Sequence, residues 1–523
     1  MDDVTASFAV WADRITNTAG RQVEFHLFWY NFTGSTLASA SGPTNGNGTT
    51  AWTYAEHVWR DGVDYTGPWS KFDASISFDT NAAGTPGGWN FGTGAPASNQ
   101  IDFRSVVVHE VGHPLGFMPT YYSGSDLWGL CWGTAFDPSA SAGYRGLTQW
   151  DQNLRDDAGN RPAKQSTGTP GNFNQLDNPV WFTGANAVAY YGGNVPVYAP
   201  TTYSGGSSLS HLDETLLPNA LMSPFVSQGQ VVRQPTRLEW EILKDLGWSV
   251  LTTKTWTRGA GTLSWADAAN WGPDGAPDAT WDVVLGGAGL ADGDTIDLAG
   301  NQSVNVLAID GGVGFTLGGA SGTLTIVKGN LTRTAAAWGV QTISRPVALG
   351  SNAVWDIAGD GQLAVSGVVS GSGRSIEKRG AGALLLSGAN TYSGPTAIKA
   401  GTLIVGRNAP SGSAGALGNA TSAVTLGDTS GTADAALLIG GTYTVGRNIA
   451  VQAGGSGWLA LVPYVICICG YSRLSLILAV SVVNCQSTDF WSALRPEYQC
   501  SASDRKAGTS GIRRSRHCWV KTL

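Results

Sequence analysis

From about Thr252 to Gly457 the chain is written in short apolar runs separated by turn residues. Leu324-Thr325-Ile326-Val327, Ala383-Leu384-Leu385-Leu386 and Thr402-Leu403-Ile404-Val405 are typical, with Gly, Asn and Asp between them. A run of four β-forming residues cannot bury a core alone, so successive runs must stack as rungs. This region is therefore expected to be an all-β parallel β-helix or related solenoid.

The composition sets the frame for the rest. Of 523 residues, 72 are Gly and only 13% are charged, with a formal net charge of −7. No basic stripe stands out in the body of the chain, which argues against nucleic acid as a partner. Three segments are expected: residues 1–250, residues 251–457, and an atypical tail over 458–523. In the tail glycine nearly disappears and basic residues outnumber acidic ones. Its apolar stretch from Trp458 to Val483 leaves a membrane span open, but an out-of-frame or disordered tail is the preferred expectation. Cys131 stands alone in the body, while Cys467, Cys469, Cys485, Cys500 and Cys518 fall in the tail, so no disulfide framework is expected. Met1-Asp2-Asp3 is acidic and is not followed by a charged-then-apolar leader. Either the protein is intracellular or its reading frame starts downstream of the true one, and the composition favours the second.

Within residues 1–250 the pattern alternates between strand and helix. Val23–Tyr30 and Lys71–Asp79 read as strands, and Ala51–Arg60 has helical spacing. Gly84–Ser98 reads as a loop, and Trp181–Gly193 includes a short helix. Thr236 and Glu239 form a capping box for a helix carrying Leu238, Ile242, Leu243 and Leu246, with Gly247 as its C-cap.

The chemistry concentrates in Val108-His109-Glu110-Val111-Gly112-His113-Pro114-Leu115-Gly116-Phe117. On a helix beginning near Asn99–Asp102, residues four apart share a face, so His109 and His113 can hold one metal ion. Glu110 then sits beside it, placed to take a proton from water. Gly116 is the expected helix stop. Pro114 should kink or shorten the last turn and perturb the geometry of His113. A hydrolytic zinc site needs a third protein ligand. The chain has six histidines, and His26 and His57 are explained by packing while His517 lies in the tail. His211 is the only downstream histidine of the body, and Met222, one of three methionines, follows it by eleven residues.

His109-Glu110-x-x-His113-x-x-Gly116-Phe117, a long insertion, then Ser210-His211 and Leu221-Met222-Ser223-Pro224, resembles leishmanolysin-type metzincins. In the compact metzincin pattern the third histidine would fall at residue 119, which is Pro119 here. The resemblance implies an α+β metzincin-like catalytic domain, His109, His113 and His211 as zinc ligands, Glu110 as the catalytic residue, and Met222 in a turn beneath the zinc. Asp245-Leu246-Gly247-Trp248 is similar to bacterial secreted relatives of that type. No tyrosine follows Met222 closely to serve as an extra oxyanion ligand, which leaves that task mainly to zinc and Glu110. Lys378 to Thr396, with Ala400-Gly401-Thr402-Leu403, resembles an autotransporter-associated β-strand repeat, and Trp265, Asn270, Trp271 and Pro277 resemble segments that precede such repeats. That resemblance implies a secreted or surface-displayed passenger.

Three functions are compatible with these residues. The first is a secreted or surface zinc endopeptidase acting on protein or peptide substrates, expected to be a monomer with outer-membrane or cell-surface association. The second is an adhesin or structural surface protein with a vestigial metal site. The third is a zinc hydrolase acting on other bonds. Asp213 and Glu214 are expected to belong to a solvated loop, with a role holding an imidazole as the alternative.

Overall fold

The computed structural model describes residues 2–16, 22–41, 44–46, 51–62, 73–119, 148–159, 179–201, 204, 206–286, 289–337, 339–452, 455–462 and 481–483. Buried apolar side chains fall into two clusters, one running from Trp11 to Trp248 and one from Trp256 to Leu459. Cys131 and the tail cysteines lie outside the described residues, as do most of the residues on which the out-of-frame expectation rests.

The first core is mixed, with little helix. Strands β1 (Phe25–Tyr30), β2 (Ala38–Ser41) and β3 (Ala74–Asp79) form a sheet in the order β1-β3-β2. β1 runs parallel to β3 with Phe25 opposite Ala74, and β2 runs antiparallel with Ala38 opposite Phe78. β3 is central, so its alternate residues Ala74, Ile76 and Phe78 are buried, as period-two alternation requires. Helix α1 (Asp2–Ala12) packs on helix α2 (Phe103–Gly112), where the Trp11 indole donates to the Val108 carbonyl at 3.0 Å. Helices α3 (Ala185–Tyr191) and α4 (Arg237–Asp245) close the other side.

Three local expectations change. Ala51–Arg60 is not one helix: Ala51–Thr53 is a strand, Tyr54–Glu56 is helical, and His57–Asp61 widens into a π turn. Thr53 and Glu56 make this turn abrupt by bonding reciprocally, Thr53 N to Glu56 Oε2 at 2.7 Å and Glu56 N to Thr53 Oγ1 at 3.1 Å. Helix α2 stops at Gly112, four residues before Gly116, because Pro114 has no N–H to continue the ladder. The C-cap of α4 is Leu246, and Gly247 follows it with φ of 97°.

The second core is a stack of parallel rungs, as the short runs require, with antiparallel strand pairs among the described residues only where Trp271–Gly272 meets Thr253–Trp256 and where Ser481–Val483 meets Leu459–Val462. One ten-stranded sheet runs from Trp271–Gly272 and Thr253–Trp256 to Ile449–Val451, and a nine-stranded sheet runs from Thr295–Asp297 to Ser481–Val483. A four-stranded sheet closes the third side over Gln302–Ser370. Like stacks on like: Leu363 lies opposite Leu384, Leu384 opposite Leu403, and Leu403 opposite Leu437, all fully buried. Among the described residues no helix is long and apolar enough to cross a membrane.

The two cores meet through polar contacts centred on α4 and α1. Arg237 Nη2 donates to Asp282 Oδ2 at 2.9 Å, and its Nε donates to Glu241 at 2.6 Å. The Arg14 guanidinium lies 3.6 Å from the centre of the Trp281 ring. Tyr190 of α3 donates to Asn305 at 3.0 Å, and Lys328 donates to the Tyr190 carbonyl at 2.7 Å.

Candidate metal centre

Helix α2 is fixed at its start by Asp102. The carboxylate accepts from Ser105 N at 3.0 Å and Ser105 Oγ at 2.7 Å, capping the helix, and pairs with Arg233 through Nε at 2.7 Å. Val107, Val108 and Val111 are buried, so the helix cannot rotate without exposing them. That orientation turns His109 and His113 toward one point, with ring centroids 5.0 Å apart.

His211 arrives from the other side of the core. It follows a serine-rich turn, and the neighbouring Leu212 pairs with Val197. Its ring lies 5.1 Å from that of His109 and 4.9 Å from that of His113. One ring nitrogen from each of His109, His113 and His211 lies within 4.8 Å of the others. The structure thus brings together three histidines separated by up to 102 residues.

The second ring nitrogens decide what this cluster can do. His109 Nδ1 meets the Leu221 carbonyl at 2.7 Å, His113 Nδ1 meets the Phe117 carbonyl at 2.7 Å, and His211 Nδ1 meets the Ser207 carbonyl at 2.8 Å. A carbonyl only accepts, so each Nδ1 carries the proton and each Nε2 keeps its lone pair. His109 Nε2 and His211 Nε2 then face each other at 3.2 Å, lone pair to lone pair. Burial pushes all three imidazoles below their usual pKa, His113 to about 3, with His109 adding to the effect there. Three neutral nitrogen donors converging without a proton between them fit a borderline-soft divalent cation.

Glu110 completes the picture. Burial pushes its carboxyl up to about 8, and one oxygen takes the Ala40 N–H of β2. Its Oε2 is buried and has no hydrogen-bond partner among the described residues. An orphaned buried carboxylate oxygen is costly unless something else uses it.

Met222 is fully buried and packs against helix α2 at Gly112. A Cβ built on Gly112 would lie 2.5 Å from Met222 Sδ, so the glycine lets the turn approach the helix. Leu212 N donates to the Met222 carbonyl at 2.8 Å, tying this turn to the residue after His211.

Other candidates fall elsewhere. His26 is on β1 beside Glu24, and His57 lies 3.2 Å from Asp61. His517 lies outside the described residues. Among the described residues the Asp213 carboxylate meets no imidazole; it accepts from Thr215 N at 2.9 Å and Leu216 N at 3.1 Å, ordering its own turn. The sequence reading missed the Thr53–Glu56 capping box, although T-x-x-E was there to be seen. It also missed the Asp102–Arg233 pair, which has no local signature.

A family model described as the passenger-associated-transport-repeat matches residues 376–405. The matched segment is solenoid, spanning the strands from Ile376–Arg379 to Gly401–Val405. The autotransporter-associated repeat and the β-helix read from the sequence are thereby supported, and the repeat suggests a secreted or surface protein. Comparison with curated proteins finds no match, and comparison with solved structures finds none either.

Proposed function

We propose that the chain is a secreted or surface-displayed zinc-dependent endopeptidase of leishmanolysin-like metzincin type, with residues 1–250 as the catalytic domain and residues 251–457 as its solenoid carrier. One observation carries the reading: the ring nitrogens of three neutral histidines converge within 4.8 Å of one another, each ring oriented by a backbone carbonyl, with the buried carboxyl of Glu110 next in the chain to His109. His109, His113 and His211 would hold the ion. Zinc bound there supplies Lewis acidity toward the scissile carbonyl and toward water. A cation held by the histidines would favour the ionised form of Glu110 against the effect of burial, and the carboxylate would then accept the proton of the attacking water and pass it to the leaving amine. β2 lies at the sheet edge with Ala40 N turned toward Glu110, and an extended peptide laid along that edge would pass beside the carboxylate.

The repeat over 376–405 favours a second reading, a structural surface protein whose working part is the solenoid. The two part company on the full-length chain, assayed for zinc content and for cleavage of casein with and without chelator. Expected are bound zinc, chelator-sensitive cleavage, loss of cleavage in Glu110→Ala with zinc retained, and loss of tight zinc binding in His211→Ala. Zinc binding without protein cleavage in the wild type defeats the peptidase reading, and full zinc affinity in His211→Ala removes that residue as a ligand.

A further inference from the structure

The carboxylate of Glu239 has two sets of partners. Its Oε2 accepts from Thr236 N at 2.6 Å and Thr236 Oγ1 at 2.8 Å, which is the capping box of α4. Its Oε1 reaches away from the helix and accepts from Met222 N at 2.5 Å, and the carboxylate also takes the N–H of Leu221. A helix cap needs only the first set. The second set crosses to the turn under the histidines, and Glu239 is fully buried in making it.

The peptide joining Leu221 to Met222 is a rigid plane whose N–H and C=O point in opposite directions. Its N–H donates to Glu239, and its C=O accepts from His109 Nδ1 at 2.7 Å. Glu239 and His109 therefore hold opposite ends of one peptide unit. Fixing the N–H end fixes the direction of the carbonyl that orients the imidazole. A negative charge at the N–H end also polarises the peptide and makes the carbonyl a stronger acceptor. Carboxylates that bond directly to metal-ligating histidines set tautomer and ring orientation in this manner. Here the influence passes through a peptide bond.

We propose that Glu239 is a positioning residue for His109, acting through the Leu221–Met222 peptide. This rests on the zinc reading only for its effect on metal affinity; the His109 hydrogen bond does not depend on it. Neighbouring Arg237 anchors α4 to Asp282 of the first solenoid rungs, so the carboxylate is held on a braced helix.

Glu239→Gln is the diagnostic change, made in the full-length chain. The groups facing the Glu239 oxygens donate to them, so either orientation of a glutamine amide sets its NH2 against a backbone N–H. Zinc affinity by competition with a chromogenic chelator should fall roughly 10- to 100-fold, and the visible spectrum of the cobalt-substituted protein should shift. In histidine-selective 15N spectra without metal, the His109 Nδ1 proton should lose protection. Thr236→Ala is the control, since it weakens the cap and spares the Met222 bond. It should lower the melting temperature and leave the cobalt spectrum and the His109 proton unchanged. If Glu239→Gln lowers only the melting temperature, as the control does, Glu239 is a helix cap and the proposal falls. Should Glu239→Gln fail to fold, Glu239→Asp, too short to reach both partners, is read by the same signals. If the wild type takes up neither zinc nor cobalt, the metal reading fails, and the His109 proton alone decides for or against the positioning role.

Discussion

Gly112→Ala tests whether the Met222 turn and helix α2 are packed as tightly as the geometry says. A Cβ at residue 112 meets Met222 Sδ at 2.5 Å, Met222 Cε at 3.1 Å and Trp11 Cζ2 at 3.3 Å. Met222 and Trp11 are both fully buried, so neither can swing into solvent. Relieving such overpacking typically costs about 1–3 kcal/mol. Replacing glycine by alanine returns at most about 1 kcal/mol of helix propensity, and less at the last helical position. The net expectation is a loss of about 1–2 kcal/mol. Hydrogen exchange of the amides in Phe103–Gly112 reads this locally, without assuming that the two cores unfold together. Their exchange should accelerate roughly 5- to 30-fold. Adding Met222→Ala to Gly112→Ala should recover part of the loss, because the two changes share one contact. Unchanged or slower exchange in Gly112→Ala would refute the packing argument.

Two further perturbations follow from buried charges. Asp102→Ala removes both the N-cap of α2 and the partner of Arg233, and should cost about 3 kcal/mol in thermal or denaturant unfolding; Asp102→Asn should recover the cap alone, equal losses in the two variants would show that the cap contributes nothing, and wild-type stability in Asp102→Asn would show the same of the ion pair. In the solenoid, Lys378 is fully buried, with its ammonium donating to the carbonyls of Gly380 at 2.7 Å and Ala400 at 3.1 Å, while burial pushes its pKa down to about 8. Between that value and its ordinary 10.5 the unfolded chain binds the proton more, so solenoid stability should rise with pH across this window, by an amount on the order of 3 kcal/mol. Lys378→Met should flatten that slope in denaturant midpoints measured from pH 8 to 10, and a flat wild-type profile would contradict it.

How much of this was legible depended on whether the signal was local. His109, Glu110 and His113 were readable because a fixed helical spacing is their signature. His211 was reachable as their spatial neighbour because so few other histidines stand in the chain. The three carbonyls that orient the rings, those of Leu221, Phe117 and Ser207, were invisible, since every residue owns a carbonyl and only the fold chooses among them. Glu239 was read correctly as half of a capping box, and its second job stayed hidden because Met222 lies seventeen residues upstream. In the solenoid the alternation of apolar runs and turns gave the strands, but the rungs are uneven. Stacked positions 363, 384, 403 and 437 are separated by 21, 19 and 34 residues. The long interval includes Asn408–Ala420, where Asn390 pairs with Gly415, and no fixed period would have placed it.

Pro114 shows the same point from the opposite direction. Read along the sequence, a proline after the second histidine threatens the site by breaking its helix. In the fold the break is what orients His113. Side chains on a helix lean toward its N-terminus, whereas its carbonyls point toward the C-terminus. Had α2 continued, the carbonyl four residues beyond His113 would have pointed away from that ring. Because α2 ends at Gly112, the chain turns back, and the Phe117 carbonyl comes within 2.7 Å of His113 Nδ1. The turn is held from outside as well. Thr53 Oγ1 donates to the Pro114 carbonyl at 2.5 Å, and the Trp248 indole donates to the Leu115 carbonyl at 2.7 Å. Gly116, at φ of 117°, closes the turn against Glu56 and Leu246. A proline that supplies no N–H at this position costs little where no helical bond is made, and it disfavours the continued helix that would take the acceptor away.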